Sequence, residues 1–341
     1  MNNKNQKCLL CGEKAYLITS EQKGYKEPDI YKIYYCENCD TSFSIPRVED
    51  TDEIYNLIYK YGEKVPDYDR YWLYSKEIIS QEKAFAWLAN KEPAYWGVWC
   101  AMNRHIKLNK SAKILEIGSG LGYLTYAMRK EGYTNAFGID ISNEAVNNAI
   151  NKYGDFYICA DVNEYAKSHI NEYDVVLLTE VIEHIENPKS FLSSILHLLK
   201  DHGSIILTSP NKSFYPKEAI WINDSPPVHC WWFSENSFKY LAQELNLQAT
   251  FINYSEYYKT HLKHLFDNKN STLLSSNFIF DKEGHLISKK SGNIKGGVLP
   301  CWVKNTQLYK YLSRELYPFL FKSRFSVSKS RTYTQCIIYT K

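Results

Sequence analysis

Residues 113–122, KILEIGSGLG, limit the fold more than any other stretch of the chain. A short strand pattern carries Glu116. Gly118, Gly120 and Gly122 follow, and LTYAMRKE then continues with helical spacing. A strand, a glycine-rich turn and a helix in that order present backbone N–H groups to a ligand. Glycine spacing alone leaves the ligand open, so the following strands have to identify it.

Those strands alternate regularly with helices. NAFGIDI ends a second strand at Asp140, 20 residues beyond Gly120. A carboxylate there can accept hydrogen bonds from the two hydroxyls of a ribose. A helix is expected at about 143–152, and DFYICAD ends a third strand at Asp161. YDVVLLTEVIEHI gives a fourth strand, a helix is expected at about 188–200, and GSIILTSPN gives a fifth strand. Short connections and strict alternation predict an α/β fold with a doubly wound parallel sheet and a site at the carboxyl ends of the strands.

EIGSGLG, Asp140, Asp161 and LLTEVIEHIENP together resemble the class I S-adenosylmethionine-dependent methyltransferases. The likeness is greatest to the ubiquinone-biosynthesis and small-molecule branch, whose E-V-x-E-H segment is here Glu180-Val181-Ile182-Glu183-His184. It covers about 110–255 and implies a Rossmann-like seven-stranded sheet whose last strand is antiparallel. YTQCIIYT at 333–340 suits that strand; a helix after 234 and QATFINYS at 248–255 suit the pair before it. The resemblance also implies roles. Glu116, Gly118, Ser119 and Gly120 would lie against the methionine portion of the cofactor, with Gly122 in the same loop. Asp140 would hold the ribose, Ile141 would lie on the adenine, Asp161 would meet the adenine amino group with Val162 beside it, and Glu180 would sit near the methionine amino end. A nicotinamide dinucleotide is the competing ligand. The G-x-G-x-G spacing and the acidic Glu116 argue against it, because a carboxylate repels two phosphates and tolerates a cationic sulfonium.

Two histidines are candidate catalytic groups. His184 follows strand four on the rim where an acceptor would approach, and its imidazole can titrate near neutrality; the plainer reading is a brace for the loop before Pro188. His229 lies in NDSPPVHCWWFSENSF, a loop stiffened by Pro226-Pro227 that crosses the same rim ahead of a helix start at Ser234. It would bind or orient the acceptor with Trp231 and Trp232, or anchor a packed lid. A divalent metal on Glu180, Glu183 and His184 is conceivable, but no second acidic cluster supports it.

Ahead of the sheet, Cys8-x2-Cys11 and Cys36-x2-Cys39 are separated by 24 residues. Two such turns make a tetrahedral four-sulfur site suited to a structural zinc ion, in a segment too short to build its own core. All four positions are filled by protein, so that metal has no open position for an acceptor. The expected organisation is a zinc-ribbon-like module at 1–47, a helical, aromatic-rich linker or substrate cap at 48–110, and a methyltransferase core at 111–341 with an insertion at about 256–330. Within the linker, 49–61 and 75–91 read as helices and GEKVPDYDRYWLYS between them as irregular. Tyr68, Tyr71, Trp72, Tyr74, Trp96 and Trp99 would either cover the active site or pack the ribbon on the core.

A net charge of +3 and no long basic run argue against a nucleic-acid partner. No apolar run reaches a membrane span and MNNKNQKC holds no signal core, so a cytoplasmic protein is expected, with Cys100, Cys159, Cys230, Cys301 and Cys336 reduced. Late in the insertion, Lys304, Lys310, Arg314, Lys322 and Arg324 surround aromatic residues, which fits a solvated helix or a peripheral membrane contact. The expected function is methyl transfer from S-adenosylmethionine to a small molecule, with a hydroxyl of a sugar, nucleotide sugar or secondary metabolite as acceptor. The 29 tyrosines and 8 tryptophans suit such a ring. RNA or protein methylation guided by the ribbon is one alternative, although the N/D-P-P-Y motif of base-nitrogen chemistry is missing. A non-catalytic cofactor-binding scaffold is the other.

Overall fold

The computed structural model describes residues 6–48, 51–65, 68–214, 225–261, 278–287 and 333–341. The N-terminal strands are β1 (Gln6–Lys7), β2 (Lys14–Lys23), β3 (Ile30–Cys36) and β4 (Thr41–Ile45). Four helices follow: α1 (Asp52–Tyr61), α2 (Asp69–Glu77), α3 (Ala84–Ala89) and α4 (Pro93–Cys100). The alternating core comprises β5 (Ile114–Ile117), α5 (Tyr123–Lys130), β6 (Ala136–Asp140), α6 (Asn143–Tyr153), β7 (Tyr157–Cys159), α7 (Val162–Ser168), β8 (Tyr173–Thr179), α8 (Pro188–Ile195) and β9 (Leu199–Pro210). After it come β10 (Trp231–Phe233), α9 (Glu235–Glu244), β11 (Gln248–Phe251), α10 (Ser255–Thr260) and β12 (Thr334–Thr340).

The main sheet has seven strands in the order β11-β12-β9-β8-β5-β6-β7. Strands β5 to β9 run parallel, and β12 is antiparallel to both β9 and β11. This is the expected Rossmann-like sheet, with YTQCIIYT as its antiparallel strand. The order reverses at β5, between β6 and β8, which opens a crevice at the carboxyl ends of those strands.

Alternate residues of the central strands enter two different cores. Leu115, Ile117, Val176, Leu178, Ile205 and Leu207 pack with Phe191, Trp231, Phe238 and the N-terminal Cys8, Cys36, Cys39 and Phe43. Ile114, Val175, Leu177 and Ile206 pack on the opposite side with α3, α4 and α5. Burial on both faces is why these strands read as continuous apolar runs rather than alternating ones.

The N-terminal strands form a second, antiparallel sheet ordered β1-β2-β3-β4-β10. Its last member comes from beyond β9: Trp231, Trp232 and Phe233 pair with Phe43, Ser42 and Thr41. The sequence gives no sign of this strand, since a three-residue WWF edge carries no periodicity of its own.

The linker differs from its sequence pattern. Residues 69–75, expected to be irregular, form most of α2, and the expected helix at 75–91 is broken into the end of α2 and the short α3. Packing decides this. Tyr74 meets the rings of Trp87, Tyr95 and Tyr123 edge-on at 6.1, 6.4 and 6.4 Å, a preferred aromatic geometry. The chain must turn between α2 and α3 to place Tyr74 and Trp87 face to edge. Strand four ends at Thr179, short of the expected segment; Ile182–His184 is a 3₁₀ turn. An unanticipated α7 is capped by Asp161. Most of the insertion at about 256–330, including Lys304, Lys310, Arg314, Lys322 and Arg324, lies outside the described residues. Among the described residues, no helix is long and apolar enough to cross a membrane.

Candidate active site

The crevice at the end of the sheet opens into a cleft of about 1550 Å³. One end is lined by Glu116, Gly118, Ser119, Gly120, Asp140, Ile141, Asp161, Val162 and Glu180; the other holds His184 and His229. Eleven of the twelve residues expected to bind cofactor or act catalytically therefore line one cavity, and Gly122 stands just behind it. Gly122 has φ +78°, and a Cβ there would lie 2.7 Å from Ala149 Cβ and 2.8 Å from the Tyr157 ring. It lets α5 start against α6 and β7 rather than touching a ligand. Gly118 has φ +70°, and its missing Cβ makes room for Val181 at 2.7 Å. Both positions need glycine for conformation as well as space.

Asp140 organises the loop. One carboxylate oxygen accepts from Gly120 N at 2.8 Å and the other from Ser142 N at 2.9 Å. Each oxygen keeps a lone pair for a ligand hydroxyl. Ile141 is 74% exposed at the cleft, an apolar side chain positioned to cover a flat ring. Asp161 spends one oxygen capping α7, accepting from Asn163 N and Glu164 N at 2.8 and 3.0 Å. Glu180 takes φ +54° at the end of β8, turning the chain sharply into the His184 turn.

Glu116 departs from the charge argument made on sequence. It is only 4% exposed and accepts a hydrogen bond from Thr125 Oγ1. Burial raises its carboxyl to about 8, against the lowering effect of that bond. Without a ligand, Glu116 is mainly a neutral acid at pH 7, so it does not repel phosphate as a fixed charge. A cationic ligand beside it would instead favour its ionised form.

At the far end, His184 Nδ1 lies 2.8 Å from the Val228 carbonyl oxygen and 3.2 Å from Tyr55 Oη. A carbonyl oxygen can only accept, so Nδ1 carries the proton and Nε2 keeps its lone pair. The His229 ring stands edge-on to His184 with centroids 4.4 Å apart. Burial lowers His229 to about 3, which keeps it neutral and a poor base near pH 7. Glu183, His184 and His229 offer ligand atoms within 4.8 Å of one another. This grouping replaces the conceivable set of Glu180, Glu183 and His184, because His229 arrives on the loop after β9.

The linker supplies a wall that the core motifs do not contain. Tyr55, Tyr59, Tyr68, Tyr71 and Trp72 line the cleft, with Tyr25 from the ribbon beside them. Arg70 also lines it, paired with Glu92 at 3.2 Å and lying over the Tyr71 ring. Of the six aromatics named from sequence, Tyr68, Tyr71 and Trp72 cover the site. Tyr74 and Trp96 pack in the core, and Trp99 packs partly buried against it. Tyr55 and Tyr59 were missed. They sit four apart on α1 and so share one face, which is the one signal that could have found them.

The four N-terminal sulfurs converge. Cys8 and Cys39 Sγ are 3.6 Å apart and Cys11 and Cys36 Sγ 3.5 Å, and all four lie within 4.8 Å of one another. Tetrahedral zinc–sulfur bonds of about 2.3 Å place sulfurs about 3.8 Å apart, so the set fits such an ion.

The family description "methyltransferase domain" matches residues 72–250. The chain belongs to the methyltransferase-domain family. Its fold is that of the class I S-adenosylmethionine-dependent enzymes, and the glycine loop and Asp140 lie within the matched span. Among curated relatives, it is 27% identical over 124 residues to a mitochondrial ubiquinone biosynthesis O-methyltransferase of Dictyostelium discoideum, covering 32% of this chain and 38% of that one. It is 30% identical over 106 residues to the ubiquinone biosynthesis O-methyltransferase of Cronobacter sakazakii, covering 30% and 43%. This methyltransferase-family chain thus spans less than half the length of those curated relatives. A solved S-adenosylmethionine-dependent methyltransferase from Archaeoglobus fulgidus aligns over 72% of this chain and 93% of its own, with 18% identity and a TM-score of 0.44.

Proposed function

We propose that the protein transfers a methyl group from S-adenosylmethionine to a hydroxyl of a small ring-containing acceptor, such as a sugar, nucleotide sugar or secondary metabolite. The observation that carries this reading is the continuity of one cleft from the Asp140 loop to His184 under an aromatic wall. The cofactor supplies an electrophilic methyl group when bound. The chain holds and orients both ligands and moves one proton.

On this reading Asp140 accepts from the ribose hydroxyls, Ile141 and Val162 cover the adenine, and the second oxygen of Asp161 takes its amino group. Glu116, Gly118, Ser119, Gly120 and Glu180 surround the methionine portion. His184 is the general base: the Val228 carbonyl accepts from Nδ1 and so fixes the tautomer in which Nε2 is the basic nitrogen. His229, held neutral by burial, orients rather than deprotonates. Tyr55, Tyr59, Tyr68 and Tyr71 give ring faces and hydroxyls at once, which suits a hydroxylated ring. Cys8, Cys11, Cys36 and Cys39 hold a structural zinc ion, in a unit that joins the core at 231–233.

A screen of hydroxylated acceptors with methyl-labelled S-adenosylmethionine tests the assignment. Wild type should label at least one acceptor, and His184→Ala should lose about a hundredfold to ten-thousandfold in kcat while still binding S-adenosylhomocysteine. Unchanged turnover in His184→Ala removes the base. Failure of wild type to bind S-adenosylhomocysteine removes the methyltransferase assignment.

A further inference from the structure

The ribbon and the His229 segment are joined at more points than a tethered module requires. Strand β10 begins two residues after His229 and completes the ribbon's sheet beside β4. Just before β10, the Cys230 carbonyl accepts from Ser44 N at 3.1 Å and from Arg47 Nη1 at 3.2 Å. The Arg47 guanidinium also lies 4.2 Å over the Trp231 ring, itself 1% exposed. At the tip of the β2–β3 hairpin, Tyr25 N donates to Pro226 O at 3.1 Å. The second cysteine knuckle is fastened to the start of α9: Thr41 Oγ1 donates to Ser237 Oγ at 2.7 Å, and Ser237 Oγ donates to Asp40 O at 3.0 Å.

The opposite side of the same segment rests on the catalytic turn. Val228 O accepts from His184 Nδ1 at 2.8 Å, Cys230 N donates to Glu183 O at 3.0 Å, and Trp231 Nε1 donates to Ile185 O at 2.8 Å. Residues 225–231 are thus clamped between the ribbon and the turn that carries His184. Among the described residues, the cofactor loop makes no hydrogen bond to the ribbon; its bonds run to Ile139, Asp140, Tyr126 and Tyr157.

We propose that the four-cysteine ribbon is a positioning element for the acceptor side of the cleft: with metal bound, it holds the His229 segment against the His184 turn, while the cofactor side stands without it. The proposal rests on the methyltransferase reading and adds a division of labour to it. Arg47 is the positioning residue that links the two, and the Val228 carbonyl is the point at which the ribbon sets the His184 tautomer. Loss of the metal frees the knuckles that carry β4, and with β4 goes the template for β10.

The test uses the full chain. Metal content is measured by mass spectrometry, hydrogen exchange is compared before and after chelation, and S-adenosylhomocysteine binding is measured by calorimetry. One zinc per chain is expected. Chelation should speed exchange in 228–233 by about tenfold or more and leave 114–118 and 136–140 protected. Affinity for S-adenosylhomocysteine should stay within about twofold. Arg47→Ala, which keeps all four cysteines, should retain the zinc, reproduce the faster exchange at 228–233 and leave cofactor affinity unchanged. Three results overturn the proposal: no bound metal, unchanged exchange at 228–233 while 8–12 and 36–41 exchange faster, or protection lost equally across 114–118. A metal-loaded chain that fails to bind S-adenosylhomocysteine overturns the methyltransferase reading instead.

Discussion

Replacing Glu116 with glutamine should make the protein more stable in alkaline buffer than in acid, relative to wild type. The side chain is buried on the α5 side of β5 and hydrogen-bonded to Thr125, and burial carries its carboxyl from 4.5 to about 8. A raised folded-state value means that the folded chain keeps a proton that the unfolded chain has released. The associated stability is fully present below about pH 4.5 and is lost as pH climbs to about 8. Each unit in that window removes roughly 1.4 kcal/mol, for a total on the order of 4–5 kcal/mol. Glutamine has the same shape, keeps an acceptor for Thr125 and does not ionise. Urea unfolding of both proteins, repeated from pH 4.5 to 8.5, isolates this residue, because every other titrating group cancels in the difference. The gap between Glu116→Gln and wild type should move in the variant's favour by several kcal/mol across the series. A gap that stays flat with pH would refute the argument, since Glu116 would then ionise as freely in the fold as in water. The same linkage predicts that S-adenosylmethionine binding to wild type releases more protons near pH 7 than binding to the variant, readable from calorimetry in two buffers.

Asp140→Ala removes the acceptor for Gly120 N and Ser142 N as well as the proposed ribose contact; S-adenosylhomocysteine affinity should fall about tenfold to a hundredfold by calorimetry. Gly122→Ala forces a side chain into φ +78° and within 2.7 Å of Ala149. It should cost about 2–4 kcal/mol in urea unfolding, and an unaffected midpoint would show that α5 and α6 can separate at no cost.

Much of the cofactor half was legible in the sequence. KILEIGSGLG, Asp140 and Asp161 lie close together along the chain, and each is fixed by a local strand end or turn. The parallel strands announce themselves because burial on both faces demands an unbroken apolar run. The four cysteines were equally legible, since two C-x2-C turns specify their own geometry. Helix α2 was not. Its Tyr71-Trp72-Leu73-Tyr74 run is consecutive and so marks no single helical face, and the Tyr74 cluster formed with Trp87, Tyr95 and Tyr123 draws it together.

The sequence by itself determined the sheet, the glycine loop and the sulfur cluster, because these follow from residue type and short-range spacing. Tertiary structure decided everything that depends on distance. It neutralised Glu116 by burial and set the protonated nitrogen of His184 through Val228 O. It brought Tyr55 across 129 residues to that histidine, and made residues 231–233 a strand of the N-terminal sheet. Desolvation and long-range pairing belong to no single stretch of chain, so no local pattern records them.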